Sequence, residues 1–198
     1  MGNNRYNEKI SVGILAGGES SRMGRNKAGL DYHGVSFIQH QTSKLRSLGI
    51  EDIVIAGTTF HPEGCRAISD VYPRRGPLSG IHAGLLAIRE SAALVLAIDT
   101  PLVPMELLKE LIDIHTTGIT IATCNGTPEP LIGVYDKSLA EACKAALQSE
   151  KTSVQRFCRA VGYTPLGFTG DPALLTNCNT PEDYEKLLEI EMRESKNG

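Results

Sequence analysis

A glycine-rich segment near the start of the chain has the residue types needed to bind linked phosphates. It reads LAGGESSRMGRNK and directly follows an apolar run. Glycines such as Gly17 and Gly18 allow successive backbone N–H groups to turn toward one anion. Ser20 adds a hydroxyl donor, while Arg22 and Lys27 add positive charge. The segment is neither a Walker A loop nor a GxGxxG motif, so it predicts a polyphosphate-binding loop of another type.

A single carboxylate ends the most apolar stretch of the sequence. Asp99 follows an apolar run at 93–98 and precedes Thr100 and Pro101, whose ring restrains the turn. A carboxylate at the mouth of a parallel sheet is unfavourable unless water, a partner or a metal ion satisfies it. Mg²⁺ commonly takes one or two protein carboxylates together with phosphate oxygens. Beside a polyphosphate loop Asp99 is predicted to bind Mg²⁺, whereas alone it would more often cap a helix or form a salt bridge.

Two further segments combine polar side chains with the start of a predicted helix. Residues 74–80 form a basic glycine–proline turn, and a helix start after such a turn favours anions, although the segment alone would more often be a plain turn. Near the end of the chain, Thr180 followed by Pro181 predicts a helix start. Asn177 and Asn179 have no part in that helix start, so they remain available for a ligand.

The elements that would position these residues follow a regular order. Apolar runs predict strands, and amphipathic spacing predicts helices between them. This alternation predicts an α/β fold with a mostly parallel sheet covered on both faces, and ligands beyond the carboxyl ends of the strands. An Asn125-Gly126 turn adds one antiparallel pair. Strands are predicted at 10–16, 53–56, 66–69, 94–98, 119–123 and 131–135, and helices at 37–48, 80–89, 105–115, 137–147, 153–160 and 181–192.

Composition excludes several other classes of protein. The chain has 198 residues, 41% hydrophobic, with a net charge of −3 and only 5% aromatic residues, so neither a basic nucleic-acid surface nor a stacking platform is predicted. The longest apolar run, 92–98, is too short to cross a membrane. We expect one domain over 1–198, with 1–8 as a flexible lead-in, in the cytoplasm. Five scattered cysteines favour reduced thiols.

The quoted motifs resemble those of one enzyme family. LAGGxSxRMGxxK, together with similarity from Val12 to about Leu188, resembles the molybdenum cofactor guanylyltransferases. The resemblance implies the nucleotide-diphospho-sugar transferase fold, a three-layer Rossmann-like sandwich. It also implies transfer of GMP from GTP to molybdopterin or molybdenum-molybdopterin, with release of pyrophosphate and a requirement for Mg²⁺. Molybdoenzyme maturation proteins are possible further partners.

The resemblance also assigns roles to residues of this sequence. In the family, the counterparts of the glycine-rich segment contact the guanine nucleotide, those of Arg22 and Lys27 lie at its phosphates, and that of Asp99 binds magnesium. The D-x(4–6)-GPL(A/S)G block places Asp70 at the nucleotide, and the N-x-N-T-P-E-D block places two asparagines at the pterin. The implied catalytic residues are Arg22, Lys27 and Asp99, the nucleotide site adds Leu15, Ala16, Gly17, Gly18, Ser20, Asp70, Gly76 and Gly80, and the pterin site comprises Asn177 and Asn179.

One departure and several alternatives accompany this assignment. Where the family often has an asparagine contact at the end of the second strand, this chain has Ala56. A cytidylyltransferase acting on the same pterin more often has LAAG, so Gly17 favours guanine. A sugar-phosphate nucleotidyltransferase usually has a longer chain. A non-catalytic nucleotide-binding regulator would not need Lys27 and Asp99.

Overall fold

A computed structural model describes residues 10–16, 31–32, 34–57, 62–149 and 151–197. Within these ranges the strands are β1 (Ile10–Leu15), β2 (Asp31–Tyr32), β3 (Val35–Ser36), β4 (Ile53–Ala56), β5 (Arg66–Ile68), β6 (Ala92–Ala97), β7 (Ile119–Cys124), β8 (Thr127–Asp136) and β9 (Thr164–Phe168). The α-helices are α1 (Phe37–Ser47), α2 (Pro77–Ala87), α3 (Met105–Ile114), α4 (Ala140–Gln148), α5 (Val154–Val161) and α6 (Pro181–Asn197). Short 3₁₀ helices span Lys137–Leu139 and Pro172–Leu175.

Seven of these strands form one sheet in the order β5-β4-β1-β6-β8-β7-β9. β8 runs antiparallel to both of its neighbours, β6 and β7, and the other described pairings in this sheet are parallel. The predicted mostly parallel sheet is therefore confirmed. The prediction of one antiparallel pair was incomplete, because β8 inserts between β6 and β7 and so makes two. The edge strand β9 was not predicted, since its sequence TPLGF has little apolar character.

Neighbouring residues of the central strands point to opposite faces of the sheet, as the strand repeat requires. On β4, Ile55 joins one apolar cluster with residues of α1, α3 and α6. Val54 and Ala56 join a second cluster with α2, α4 and α5. Helices therefore cover both faces, and the predicted three-layer α/β sandwich is confirmed.

The helix ends follow local capping chemistry. Ser36 caps α1, and a capping box with Gln39 completes its first turn. α2 begins at Pro77, earlier than the predicted start at 80, because proline at the first helical position already has a helical φ angle. The segment predicted as a helix at 137–147 begins with a 3₁₀ turn, and α6 continues past the predicted end at 192.

The predicted hairpin between β7 and β8 is present. Asn125 and Gly126 have φ angles of 50° and 76°, as a two-residue turn of the primed type requires. The pairing of β7 with β8 changes register within the hairpin. Ile121 pairs with Gly133, whereas the next residue, Ala122, pairs with Glu129. This bulge interrupts the regular pairing of β7 with β8.

The amino-terminal edge of the sheet contains a hydrogen-bond network around a partly buried carboxylate. Asp52, just before β4, accepts hydrogen bonds from Ser11 Oγ at 2.5 Å, Arg66 Nη2 at 2.6 Å and the Arg89 backbone N–H at 2.8 Å. Burial alone would raise the pKa of Asp52, but these hydrogen bonds outweigh it and hold the pKa below the ordinary aspartate value. The network therefore ties together the starts of β1, β4, β5 and β6.

Two further observations concern the cysteines and the apolarity of the helices. The five cysteines are free thiols, and all but Cys124 are buried. Across the ranges given above, no helix combines the length and apolarity needed to span a bilayer.

Candidate active site at the carboxyl edge of the sheet

The carboxyl ends of three parallel strands lie side by side. The Ala16 N–H donates to the Ala56 carbonyl at 2.9 Å, and the Ile98 N–H donates to the Leu15 carbonyl at 3.1 Å. The glycine-rich segment therefore begins at the end of β1, between the ends of β4 and β6. Gly17, Gly18, Ser20, Arg22 and Lys27 themselves lie outside the described residues.

Asp70 lies at the same edge, just beyond β5. Its Oδ1 is buried and has no hydrogen-bond partner among the residues that the structure describes. Burial raises the pKa of this carboxyl above its ordinary value. A buried carboxylate oxygen without a donor is unfavourable in an empty protein, and a donor from a ligand would satisfy it. The predicted nucleotide role of Asp70 fits this environment.

The turn before α2 brings that helix close to the strand ends. Gly76 is exposed and has a φ of 73°, a left-handed conformation that favours glycine. At Gly80, a Cβ atom would stand 2.8 Å from Leu15 Cδ2, 3.5 Å from Ala56 Cβ and 3.9 Å from Asp70 Oδ1. The absence of a side chain at Gly80 therefore allows the first turn of α2 to pack against β1 and β4, beside Asp70.

Asp99 follows β6 on the other side of β1. Its backbone carbonyl accepts a hydrogen bond from the Cys178 N–H at 2.7 Å. Three strand spacings separate Asp70 from Asp99, which is about 14 Å along the edge of the sheet. The two carboxylates therefore stand at different positions along one ligand-sized edge, with the glycine-rich segment starting between them.

Asn177 and Asn179 flank Cys178, and the Cys178–Asp99 hydrogen bond therefore places both beside Asp99. Asn177 is exposed, whereas the Asn179 N–H donates to Asp183 Oδ2 at 3.0 Å. The Asp183 N–H donates in turn to Thr180 Oγ1 at 3.1 Å, so the predicted helix start is confirmed. The prediction that Asn179 has no part in it is wrong, because its backbone N–H binds the Asp183 carboxylate of the first turn. The hydrogen bond from the Asn179 N–H is the main reason that the pKa of Asp183 lies below its ordinary value.

Comparison with known proteins decides the family. Residues 12–163 match the family described as the MobA-like NTP transferase domain. The chain belongs to the MobA-like NTP transferase family. One relative in this family, a probable molybdenum cofactor guanylyltransferase from Carboxydothermus hydrogenoformans, is 34% identical over 92% of this chain and 97% of its own length. A molybdenum cofactor guanylyltransferase from Xanthomonas euvesicatoria pv. vesicatoria is 30% identical over 88% of this chain and 92% of its own.

Solved structures support the same fold. Molybdopterin-guanine dinucleotide biosynthesis protein A from Archaeoglobus fulgidus superposes with a TM-score of 0.74 at 22% identity, covering 93% of this chain and 99% of its own. A CMP:2-keto-3-deoxy-manno-octonic acid synthetase complexed with CTP gives a TM-score of 0.70 at 15% identity, covering 94% and 99%. The family and the fold expected from the sequence motifs are therefore confirmed.

Residues that the motifs did not indicate also reach the Asp99 end of this MobA-like site. Gln41 and Lys44 of α1 donate to carbonyls of the turn that carries Asp99. Burial lowers the pKa of Lys44 to about 8. The signal for Gln41 was its spacing, because it falls between Ile38 and Leu45 on the apolar face of α1, where a polar residue is unexpected.

Glu129 is a third carboxylate at this edge, and it was not among the predicted site residues. It lies near the amino end of β8, which runs antiparallel to β6 and therefore begins at the carboxyl edge of that strand. Its side chain is half-buried, and burial raises its pKa. The Glu129 carboxyl therefore adds a partly desolvated acceptor to the same edge of the sheet.

The donor set limits how a metal ion could be held here. Within the part of the chain that the structure describes, no three His, Cys, Asp or Glu side chains gather closely enough to form a metal site. Asp99, half-buried at the rim, is a single carboxylate that phosphate oxygens of a ligand could complete. The residues present therefore fit a cation that arrives with a polyphosphate.

Proposed function

We propose that this protein transfers GMP from GTP to molybdopterin, with or without bound molybdenum, and releases pyrophosphate. The observation that carries the proposal is the Cys178–Asp99 hydrogen bond. It joins the segment with Asn177 and Asn179 to the strand edge from which the glycine-rich segment departs. Relatives that align with nearly the whole chain are named molybdenum cofactor guanylyltransferases.

The reaction requires no protein nucleophile. An anionic oxygen of the molybdopterin phosphate attacks the α-phosphorus of GTP, and a new phosphorus–oxygen bond forms. The bond from the α-phosphorus to the oxygen bridging to the β-phosphate breaks, and pyrophosphate leaves with that electron pair. The protein must hold the two substrates in line and stabilise negative charge that moves to the leaving group.

The described residues divide these tasks along the edge of the sheet. Asp70, whose buried Oδ1 has no partner among the described residues, would accept a hydrogen bond from the nucleoside part of GTP. The start of α2 at Pro77 offers backbone N–H groups that favour anionic groups. Asn177 and Asn179 would bind the pterin through their side-chain amides, which match the donors and acceptors of a pterin edge.

The remaining assignments extend the proposal to the glycine-rich segment and to magnesium. Arg22, Lys27 and the backbone amides of Gly17 and Gly18 would hold the triphosphate. Asp99 would hold Mg²⁺ together with phosphate oxygens, and the ion would neutralise charge on them when bound. Delivery of the product to molybdoenzyme maturation proteins and a cytoplasmic location remain predictions from the resemblance and the sequence.

The test is a pyrophosphate-release assay with the purified chain, GTP, MgCl₂ and molybdopterin. We expect release of pyrophosphate only when all three are present, with one molybdopterin-guanine dinucleotide formed for each pyrophosphate. Replacing GTP with CTP distinguishes the base, and chelating Mg²⁺ tests the ion. Turnover with CTP in preference to GTP would show that the protein is a cytidylyltransferase. Binding of GTP without formation of product would show that it is a non-catalytic regulator.

A further inference from the structure

The turn that carries Asp99 is held through its backbone carbonyls. Thr100 Oγ1 donates to the Ala97 carbonyl at 2.9 Å, and the Cys178 N–H donates to the Asp99 carbonyl at 2.7 Å. Lys44 Nζ donates to the Pro101 carbonyl at 2.8 Å. The peptide groups around Asp99 are therefore fixed from several directions.

Gln41 supplies a contact to this turn from inside the protein. Its side chain is 0% exposed, and Nε2 lies 3.0 Å from the Thr100 carbonyl oxygen and 3.4 Å from the Ala97 carbonyl oxygen. Both partners are acceptors, so only the amide NH₂ group can face them. One amide therefore connects the two peptide groups that flank Ile98 and Asp99.

Stability does not account for a glutamine at this position. The Oε1 of Gln41 is buried without a hydrogen-bond partner among the described residues, which is unfavourable. The two carbonyls also have other donors, because Thr100 Oγ1 reaches Ala97 and the Val103 N–H reaches Thr100 at 3.4 Å. An apolar side chain of similar length would leave both carbonyls paired and would remove the unpaired oxygen.

We propose that Gln41 is a positioning residue for Asp99. Its amide fixes the 97–101 turn against α1, so that the Asp99 carboxylate is presented toward the ligand edge in one orientation. This inference rests on the proposed function, in which Asp99 acts on the nucleotide phosphates. It assigns to α1, a helix that contributes no residue to the predicted site, the task of aligning that carboxylate.

The first test measures the turn directly and is independent of catalysis. Amide hydrogen exchange is followed in the full chain for the wild type, Gln41→Met and the control Thr42→Val. Thr42 is the next residue of α1 and is also buried, but its hydroxyl donates to the Gln39 carbonyl and not to the turn. We expect the Cys178 amide to exchange about tenfold faster in Gln41→Met, with unchanged protection in the centre of β6 and no change in Thr42→Val.

The second test uses the kinetics of GMP transfer. In Gln41→Met we expect kcat to fall about tenfold and the half-saturating Mg²⁺ concentration to rise about tenfold, while KM for GTP stays within about twofold. A generally loosened protein would instead change all three parameters or lower the unfolding temperature. Thr42→Val is expected to match the wild type in each.

The outcomes separate the two proposals. Unchanged exchange at Cys178 together with wild-type kinetics in Gln41→Met would overturn the positioning role. If the wild type transfers no GMP, the proposed function fails, and hydrogen exchange still judges whether Gln41 holds the turn. If Gln41→Met does not fold, Gln41→Asn, which keeps the amide but shortens its reach, is expected to change the same parameters in the same direction.

Discussion

The backbone N–H of Cys178 lies 2.7 Å from the carbonyl oxygen of Asp99 and donates a hydrogen bond to it. Because backbone atoms make this contact, it is independent of the side chains at both positions. The hydrogen bond links the loop before α6 to the turn at the end of β6. The two asparagines and the rim carboxylate are therefore held at a fixed separation, as a reaction between two bound substrates requires.

Replacing Asp99 with asparagine is expected to abolish most turnover without unfolding the protein. A charge-assisted contact made in the transition state contributes about 1.5–3 kcal/mol, so the rate should fall roughly 10- to 150-fold. Pyrophosphate release at saturating GTP and molybdopterin measures this. Asp113→Asn, which changes an exposed carboxylate on α3, is the control. Wild-type turnover by Asp99→Asn would remove Asp99 from its assigned role.

Alanine at Asn177 or Asn179 is expected to weaken binding of the pterin substrate selectively. Loss of one neutral hydrogen bond, worth about 0.5–1.5 kcal/mol, should raise KM for molybdopterin about two- to twelvefold and leave KM for GTP unchanged. Steady-state kinetics with each substrate varied in turn provides the measurement. Thr176→Ala, at the exposed neighbouring position, should leave both constants unchanged. An equal change in both KM values would place the asparagines at a shared element of the site instead.

Asp70→Asn is expected to stabilise the ligand-free protein while weakening GTP binding. Burial raises the folded-state pKa of Asp70, so the folded chain binds this proton more tightly than the unfolded chain. Stability then falls as pH rises through the window above the ordinary aspartate pKa, about 3.9, and the loss persists at neutral pH. The Asp70→Asn variant has no ionisable group at this position, so it does not lose stability in this pH window. Thermal unfolding without ligand should show a higher midpoint than wild type at pH 7 and no difference at acid pH, where Asp70 is protonated. A lower midpoint at pH 7 would contradict the prediction.

Asp52→Asn should have the opposite effect on stability and none on catalysis. Hydrogen bonds hold the folded-state pKa of Asp52 below its ordinary value despite burial. This contribution is present above the unfolded-state pKa and is lost as pH falls through the folded-state pKa. We expect urea unfolding at pH 7 to show a loss of about 1–3 kcal/mol, decreasing at acid pH, with unchanged kcat. Reduced kcat in folded Asp52→Asn would show that the amino-terminal edge influences the site.

Gly133→Ala is expected to disrupt the pairing of β7 with β8. A Cβ at Gly133 would lie 2.5 Å from the Thr120 carbonyl oxygen, a backbone atom that cannot move aside without shifting its strand. Such overpacking typically costs about 1–3 kcal/mol, which thermal or urea unfolding would detect. Gly84→Ala within α2 is the matched control, because nothing lies within 4 Å of its added Cβ. It should be neutral or stabilise the protein by about 0.4–1 kcal/mol.

Local sequence signals predicted much of this fold because they are independent of distant contacts. The apolar runs that became β1, β4 and β6 are long enough to be recognised alone, and the Asn125-Gly126 turn needs only its own two residues. Since parallel strands end at one edge, predicting that Asp70 and Asp99 share that edge required only their places after strands.

The missed features depend on partners far away in the sequence. The place of β8 between β6 and β7 is set by packing in three dimensions, and β9 is a strand because the edge of β7 accepts it. Gln41 contacts the Asp99 turn only after α1 has docked on the sheet. None of these three contacts has a local motif that names its partner, so the positioning of the site was less predictable than its residues.

Cys178 lies near the end of the sequence, and this position has a consequence for folding during translation. During translation the strands up to β6 are synthesised before the segment that contains Cys178. The segment with Asn177, Cys178 and Asn179 is synthesised later, so the hydrogen bond from the Cys178 N–H to the Asp99 carbonyl can form only after that. A chain truncated by a premature stop codon before residue 177 would therefore lack the segment that we propose binds the pterin.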